Sequence, residues 1–308
     1  MWEERGRLGV GELRRMDVHQ HLWPQALVEQ LRRRTVPPML RGWTLHTAGE
    51  APYEVTADDH DPAQRAGLDG DDTRILLSLS TPLGIESLAP DQSQPLLDDW
   101  HAGVLALPAP FQGWAAVNEV EPDLDGIKGL LTSGFVGVQV SATTLATPAA
   151  IEAAAPMLRR CEEFDRPVLV HPGPVARSAG NGPAWWPAVV DYPAQLQAAW
   201  WAWHATGRSL LPDLRVCFVA GAGLAPLHHE RFGARGGGRF VVDRNVFVDI
   251  SSYGRQGIDA LTRALGIDVI VLGSDRPYST PSDLYLGDAA RYAVCVANPH
   301  RLLEGGTA

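Results

Sequence analysis

The chain has 308 residues, 45% apolar and 20% charged, the balance of a globular protein with a large buried core. A formal charge of −10 and a pI near 5.4 argue against a surface built for nucleic acid or an anionic membrane, and Arg32-Arg33-Arg34 reads as a solvated helix face. The three cysteines form no CxxC, the first residues carry no apolar leader, and no apolar run nears the twenty or so residues of a membrane span. The expectation is therefore a reducing, cytoplasmic setting with no disulfides.

In chain order, the first β-rich run is 16–21, MDVHQH. Side chains at i and i+2 of a strand share a face, so His19 and His21 converge while Gln20 turns away. Residues 22–72 then form a connection far longer than the usual βα loop of about 2–6 residues, and Arg41 and Trp43 lie in it. Apolar strands follow at 74–80, 113–117, 135–140 and 168–171. A second long connection, 172–215, holds PGPVARSAGNGPAWWP and a tryptophan-rich helical stretch, 194–206. The last strands are 216–220, 246–250 and 269–273, with amphipathic helices such as 149–163 and 258–265 interspersed. Eight such units, with no repeat and no linker, predict an α/β fold: a single (β/α)8 barrel domain over 1–308, with long insertions after strands one and five. Loops after strands lie on the catalytic face of a barrel, so both insertions are expected to roof the pocket. Trp200, Trp201 and Trp203 read as packing a helix onto the barrel wall. Trp185 and Trp186 have equal claims as pocket lining and as surface packing.

His171 closes the fifth strand in VLVHPGP, and Asp275 follows the eighth in VIVLGSDRP. With His19 and His21 they place three imidazoles and one carboxylate at strand ends, a donor set suited to one divalent ion. Zn2+ comes first, with Mn2+ and Fe2+ as alternatives. Each residue alone has a plainer account, a satisfied core histidine or a helix N-cap, and only the coincidence of all four points to a metal. Asp249 and Ser251-Ser252 read as groups that orient ligands. Gly236-Gly237-Gly238 reads as a mobile loop, and His46, His60, His101, His204 and His300 follow no ligand spacing.

The segments DVHQHLWP, GFVGVQV, LVHPGP, VLGSDRPYS and NPHRLL, spread from Asp17 to Leu303, resemble the amidohydrolase superfamily. The branch is the one that includes aminocarboxymuconate-semialdehyde decarboxylase. The resemblance implies a distorted barrel with one metal on His19, His21, His171 and Asp275. It also implies hydrolysis or non-oxidative decarboxylation of a small carboxylated, often cyclic, substrate. Members with two metals bridge them by a carbamylated lysine of strand four. The only lysine here is Lys128, in a helix-like segment, and strand four carries Gln139, so a single metal is expected. Members also carry a histidine at the end of strand six, where this chain has Ala220 in VCFVAGAGLAP. A placed acid/base is worth about 10²–10⁴-fold, and His228 and His229 read as helix-surface residues rather than substitutes.

The leading expectation is a metal-dependent hydrolase of an ester, lactone or amide, with hydroxide available near neutral pH and Asp275 passing a proton to the leaving group. Arg276 is read as a bidentate carboxylate clamp or as a structural ion pair, and Arg41, Trp43 and Tyr253 as pocket residues. The alternatives are a decarboxylase, weakened by the absence of a strand-six donor, and a degenerate barrel that binds a ligand without turnover. The expected partner is a small molecule, and a homodimer through outer helices is compatible with the resemblance.

Overall fold

The computed structural model describes residues 14–70, 72–175, 183–280 and 284–305. The leader expectation and residues 176–182 of the second insertion lie outside the described residues. Among those described, no helix is long and apolar enough to cross a membrane.

The apolar runs become short parallel strands. They are β1 (Arg15–Gln20), β5 (Thr73–Leu77), β6 (Phe111–Gly113) with β7 (Ala115–Ala116), β8 (Val138–Ser141), β9 (Val168–His171), β10 (Val216–Phe218), β11 (Val246–Asp249) and β12 (Ile270–Val271). Each pairs in parallel with its neighbour, β1 with β5 and so on to β11 with β12. Trp114 divides the third barrel strand into β6 and β7. Its backbone N–H donates to Leu77 and its indole to the carbonyl of Val18 inside the barrel. The ring closes between the last strand and the first through Val18 N to Leu272 O (2.9 Å), Asp275 N to His19 O (2.9 Å) and His21 N to Arg276 O (2.7 Å). These closing bonds matter for the site, because they set the Asp275 segment directly beside the two histidines of β1. β8, β9, β10 and β11 are buried along their whole length, as expected of strands covered on both faces.

The first connection is not a loop. It folds into α1 (Gln25–Arg33), an antiparallel sheet of β2 (Met39–Arg41), β3 (Thr44–His46) and β4 (Tyr53–Glu54), and α2 (Pro62–Ala66). Strands of two or three residues carry too little periodicity to be read from sequence. Helices α3 (Pro90–Leu105), α4 (Leu124–Ser133) and α5 (Pro148–Glu163) cover the barrel, with Asp123 and Thr147 capping α4 and α5. Lys128 is exposed on α4. The second connection rises through 187–191 into α6 (Tyr192–Ala202), and α7 (Arg208–Leu210) precedes β10. Trp200 and Trp203 are buried, Trp200 lies 5.4 Å from Phe218, and Trp201 stacks on Phe232, so these tryptophans do pack the wall.

The two insertions meet. The Tyr192 hydroxyl donates to Glu50 across 2.6 Å, and Gly49 sits so tightly on the backbone of Val175 that a Cβ there would lie 1.8 Å from its carbonyl oxygen. After β10 the chain makes a left-handed turn, Ala220 to Leu224, with φ from 45° to 62°. Three of the five residues are not glycine, at roughly 1–2 kcal/mol each. Helices α8 (His229–Phe232), α9 (Arg255–Leu265), α10 (Asp288–Tyr292) and α11 (Asn298–Glu304) complete the chain.

Candidate metal centre

His19 and His21 leave the end of β1, His171 ends β9, and Asp275 follows β12, so three separate strand ends deliver four side chains to one place. Their ligand atoms lie within 4.8 Å of one another. The three rings stand edge to face with centroids 4.9, 5.0 and 5.1 Å apart. His19 Nε2 is 3.1 Å from His21 Nε2, and Asp275 Oδ1 is 3.1 Å from the latter and 3.6 Å from the former.

What stands behind each ring fixes its tautomer. His19 Nδ1 donates to Asp249 Oδ2 (2.8 Å), His21 Nδ1 to Ser78 O (2.9 Å) and His171 Nδ1 to Pro172 O (3.0 Å). With each Nδ1 holding the hydrogen, every Nε2 lone pair faces inward, toward the others and toward the Asp275 carboxylate. Lone pairs about 3 Å apart with no hydrogen between them repel. A cation about 2.1 Å from each donor relieves that repulsion and spaces the donors about 3–3.4 Å apart, so the residues present fit a divalent ion.

The electrostatics agree for two of the three rings. Burial, then the charge of His19, pushes the His171 imidazole well down, and burial also lowers His21, so both favour the neutral, ligating form. Burial opposes charge on His19 as well, but Asp249 overcomes it and raises that group. Burial presses the Asp275 carboxyl upward, yet the imidazoles around it, His21 first, hold it below the usual carboxylate range.

Asp249 is held by four donors. Oδ1 accepts from Ala220 N (2.7 Å), Ser251 N (3.0 Å) and Ser251 Oγ (2.7 Å), while Oδ2 accepts from His19. Gly273 lies alongside, where a Cβ would come within 2.4 Å of Asp249 Oδ2. Below β1, Asp17 accepts from the N–H groups of His19 and Ser274, and Gln20, turned outward, bonds Asp17, Asp69 and Arg65.

Of the other sequence-predicted residues, Ser252 reaches Asp275 and the Arg276 carbonyl accepts from the His21 N–H, while the side chains of the rest make no hydrogen bond or ring contact with the four among the described residues. Arg276 turns its guanidinium to Asp69, 3.4 Å away. Arg41 is exposed and bonds the carbonyl of Leu40. Trp185 and Trp186 are 56% and 42% exposed and lie against each other. Tyr253 packs beside Gly221 in the left-handed turn. Ala220 brings a backbone N–H to Asp249 and no imidazole, and His229 is stacked on Phe240.

Tyr278 escaped the sequence reading, whereas Ser252 is among the groups expected to orient ligands. The Tyr278 ring lies 5.2 Å from that of His21, and Ser252 Oγ is 3.5 Å from Asp275 Oδ2. The Ser279 N–H bonds back to the Asp275 carbonyl, and this one turn returns Tyr278 to the site. A tyrosine three places after a ligand carries no signal that announces such a turn.

The family model for Amidohydrolase matches residues 16–305. No curated protein matches the chain. Among solved structures, the apo IDCase of Metarhizium anisopliae superposes with a TM-score of 0.73 at 17% identity, over 94% of this chain and 97% of that one. The 5-carboxyvanillate decarboxylase of Novosphingobium aromaticivorans, complexed with manganese and 4-hydroxy-3-methoxy-5-nitrobenzoic acid, gives 0.72 at 16%, over 96% and 97%. The 2,6-dihydroxybenzoate decarboxylase of Rhizobium gives 0.65 at 15%, over 95% and 99%. At these identities the likeness is one of fold.

Proposed function

The chain belongs to the amidohydrolase family, and from that premise we propose that it is a mononuclear metal-dependent decarboxylase. Its substrate is a small carboxylated ring that bears an ionisable hydroxyl. His19, His21, His171 and Asp275 hold one divalent cation, for which Zn2+ and Mn2+ both suit the donors. When bound, the cation supplies Lewis acidity that draws an anionic substrate oxygen to the mouth of the barrel.

The observation that carries the reading is the contrast between two carboxylates. Asp249 is fully buried and occupied by four donors, so it orients His19 and does no proton chemistry. Asp275 is 21% exposed, and among the described residues its Oδ2 has only the Ser252 hydroxyl at 3.5 Å. One ionised, accessible carboxylate suffices for decarboxylation. Asp275 takes the proton of the substrate hydroxyl and returns it to the ring carbon that bears the carboxylate. The bond to that carboxylate then breaks, its electron pair restores the ring, and CO2 leaves. A proton from solvent restores the hydroxyl. The substrate thus brings its own first proton, which answers the missing strand-six imidazole. Activities named for the structural neighbours support this choice over hydrolysis.

Hydrolysis stays as a second reading because of Ala220, which leaves no second acid/base. In that case Asp275 takes a proton from water and passes it to a leaving group. The two separate in one experiment, using metal-loaded protein with a panel of hydroxybenzoates and aryl esters or lactones in D2O. CO2 release with one deuterium at the vacated carbon supports decarboxylation. Cleavage of the esters or lactones without CO2 supports hydrolysis. Purified protein that retains below roughly a tenth of an equivalent of metal and gains no activity from Zn2+ or Mn2+ overturns both.

A further inference from the structure

The reading above gives Tyr278 no role, yet its surroundings fix which way its hydroxyl points. Ser80 is buried, at 6% exposed, and its Oγ lies 3.1 Å from Trp23 Nε1 and 3.3 Å from the Tyr278 hydroxyl oxygen. An indole N–H only donates, so Ser80 Oγ accepts from Trp23. The hydrogen of Ser80 then has one acceptor among its hydrogen-bond partners, the oxygen of Tyr278. Were Tyr278 to donate instead, a buried hydroxyl hydrogen would be stranded. The order is therefore Trp23 to Ser80 to Tyr278, and among the described residues nothing accepts the hydrogen of Tyr278.

The relay runs from a buried indole to a part-exposed phenol. Trp23 is 1% exposed and Tyr278 38%. The Tyr278 ring sits between the His21 ring at 5.2 Å and the Tyr53 ring at 6.3 Å. A hydroxyl that itself accepts a hydrogen bond is a stronger donor. Of the two arginines predicted for the pocket, one faces Asp69 and the other backbone carbonyls.

We propose that Tyr278 is the specificity-determining donor of this site. Its hydroxyl hydrogen-bonds a carboxylate oxygen of the substrate, and Ser80 is the positioning residue that aims it. The ligand class is a small carboxylate bound beside the cation, and the proposal rests on the metal-site reading above.

The test uses the full chain loaded with Co2+ and titrated with acetate, read in the visible bands of the cobalt. Tyr278→Phe keeps the ring between His21 and Tyr53 and is expected to raise the acetate dissociation constant about 10-fold, the scale of one hydrogen bond to a charged group. Cobalt bands before acetate should not change. Ser80→Ala is expected to raise the constant about 3-fold, and Ser80→Thr to restore it. A Tyr278→Phe constant within twofold of wild type, with intact bands, overturns the proposal, as does a wild-type spectrum that acetate does not move. Should Tyr278→Phe fail to fold, Ser80→Ala decides alone, and an unchanged constant there overturns it. Protein that takes up no cobalt refutes the metal reading before any acetate is added, and this proposal falls with it.

Discussion

His19 Nδ1 donates to Asp249 Oδ2 across 2.8 Å between two buried side chains 230 positions apart in the chain. The bond holds the hydrogen on Nδ1 and so keeps the Nε2 lone pair toward His21 and Asp275. Asp249→Asn offers a weaker acceptor and, in its other amide orientation, a donor that clashes with the His19 hydrogen. We expect metal affinity to fall about 10–100-fold, measured by competition with a chromophoric chelator. An unchanged constant would show that β1 alone orients His19.

The glycine before the Ser274-Asp275 pair has a steric reason. A methyl group on Gly273 would meet Asp249 Oδ2 at 2.4 Å and its Cγ at 2.7 Å, both backed by the packed end of β11. Gly273→Ala therefore pushes Asp249 off His19. The expected cost is about 1–3 kcal/mol of stability from overpacking, together with reduced metal retention through dialysis. If the variant melts and retains metal like wild type, Asp249 has more room than its four donors imply.

The strands of the barrel were legible because they are apolar runs buried on both faces, and VLVH and VFVD appear as β9 and β11 within a residue of the expected bounds. The convergence of His19 and His21 followed from strand periodicity alone. What stayed hidden depends on long-range contact. The sheet β2–β4 has strands of two or three residues, and a signal that short does not rise above loop composition. Arg276 follows a ligand directly and so suggested a clamp, but it pairs in register with Gln20, whose side chain turns away from the cluster. Tyr278 returns to the site only through a turn closed by the Asp275 carbonyl.

Asp275 is proposed to carry two duties, ligation and proton transfer, that a single substitution separates. Asp275→Asn keeps a carbonyl oxygen where Oδ1 stands but cannot take a proton. If the carboxylate is the acid/base, turnover should fall about 10²–10⁴-fold while more than half of the metal remains, read by elemental analysis beside the rate. Parallel loss of metal and rate would assign the residue to ligation only.

Glu86 gives a pH dependence whose sign follows from its surroundings. It is 1% exposed; Oε1 accepts from Gln139 Nε2 (2.7 Å) and Oε2 has no partner among the described residues. Burial, and then the nearby charge of Glu119, pushes its carboxyl up to about 8 from an ordinary 4.5. Glu119 is itself raised by burial, but the N–H and hydroxyl of Ser141 and the hydroxyl of Thr144 all donate to it. Between those two values the folded chain keeps a proton on Glu86 that the unfolded chain has released. The stability this supplies is complete below about pH 4.5 and is lost as pH rises through about 8, at about 1.4 kcal/mol per unit before relaxation. Glu86→Gln keeps an acceptor for Gln139 and has no proton to lose. Its melting temperature should therefore decline less than that of wild type between pH 6 and pH 9, by a few degrees. Parallel declines across that range would show that Glu86 ionises at its ordinary value, with water reaching Oε2.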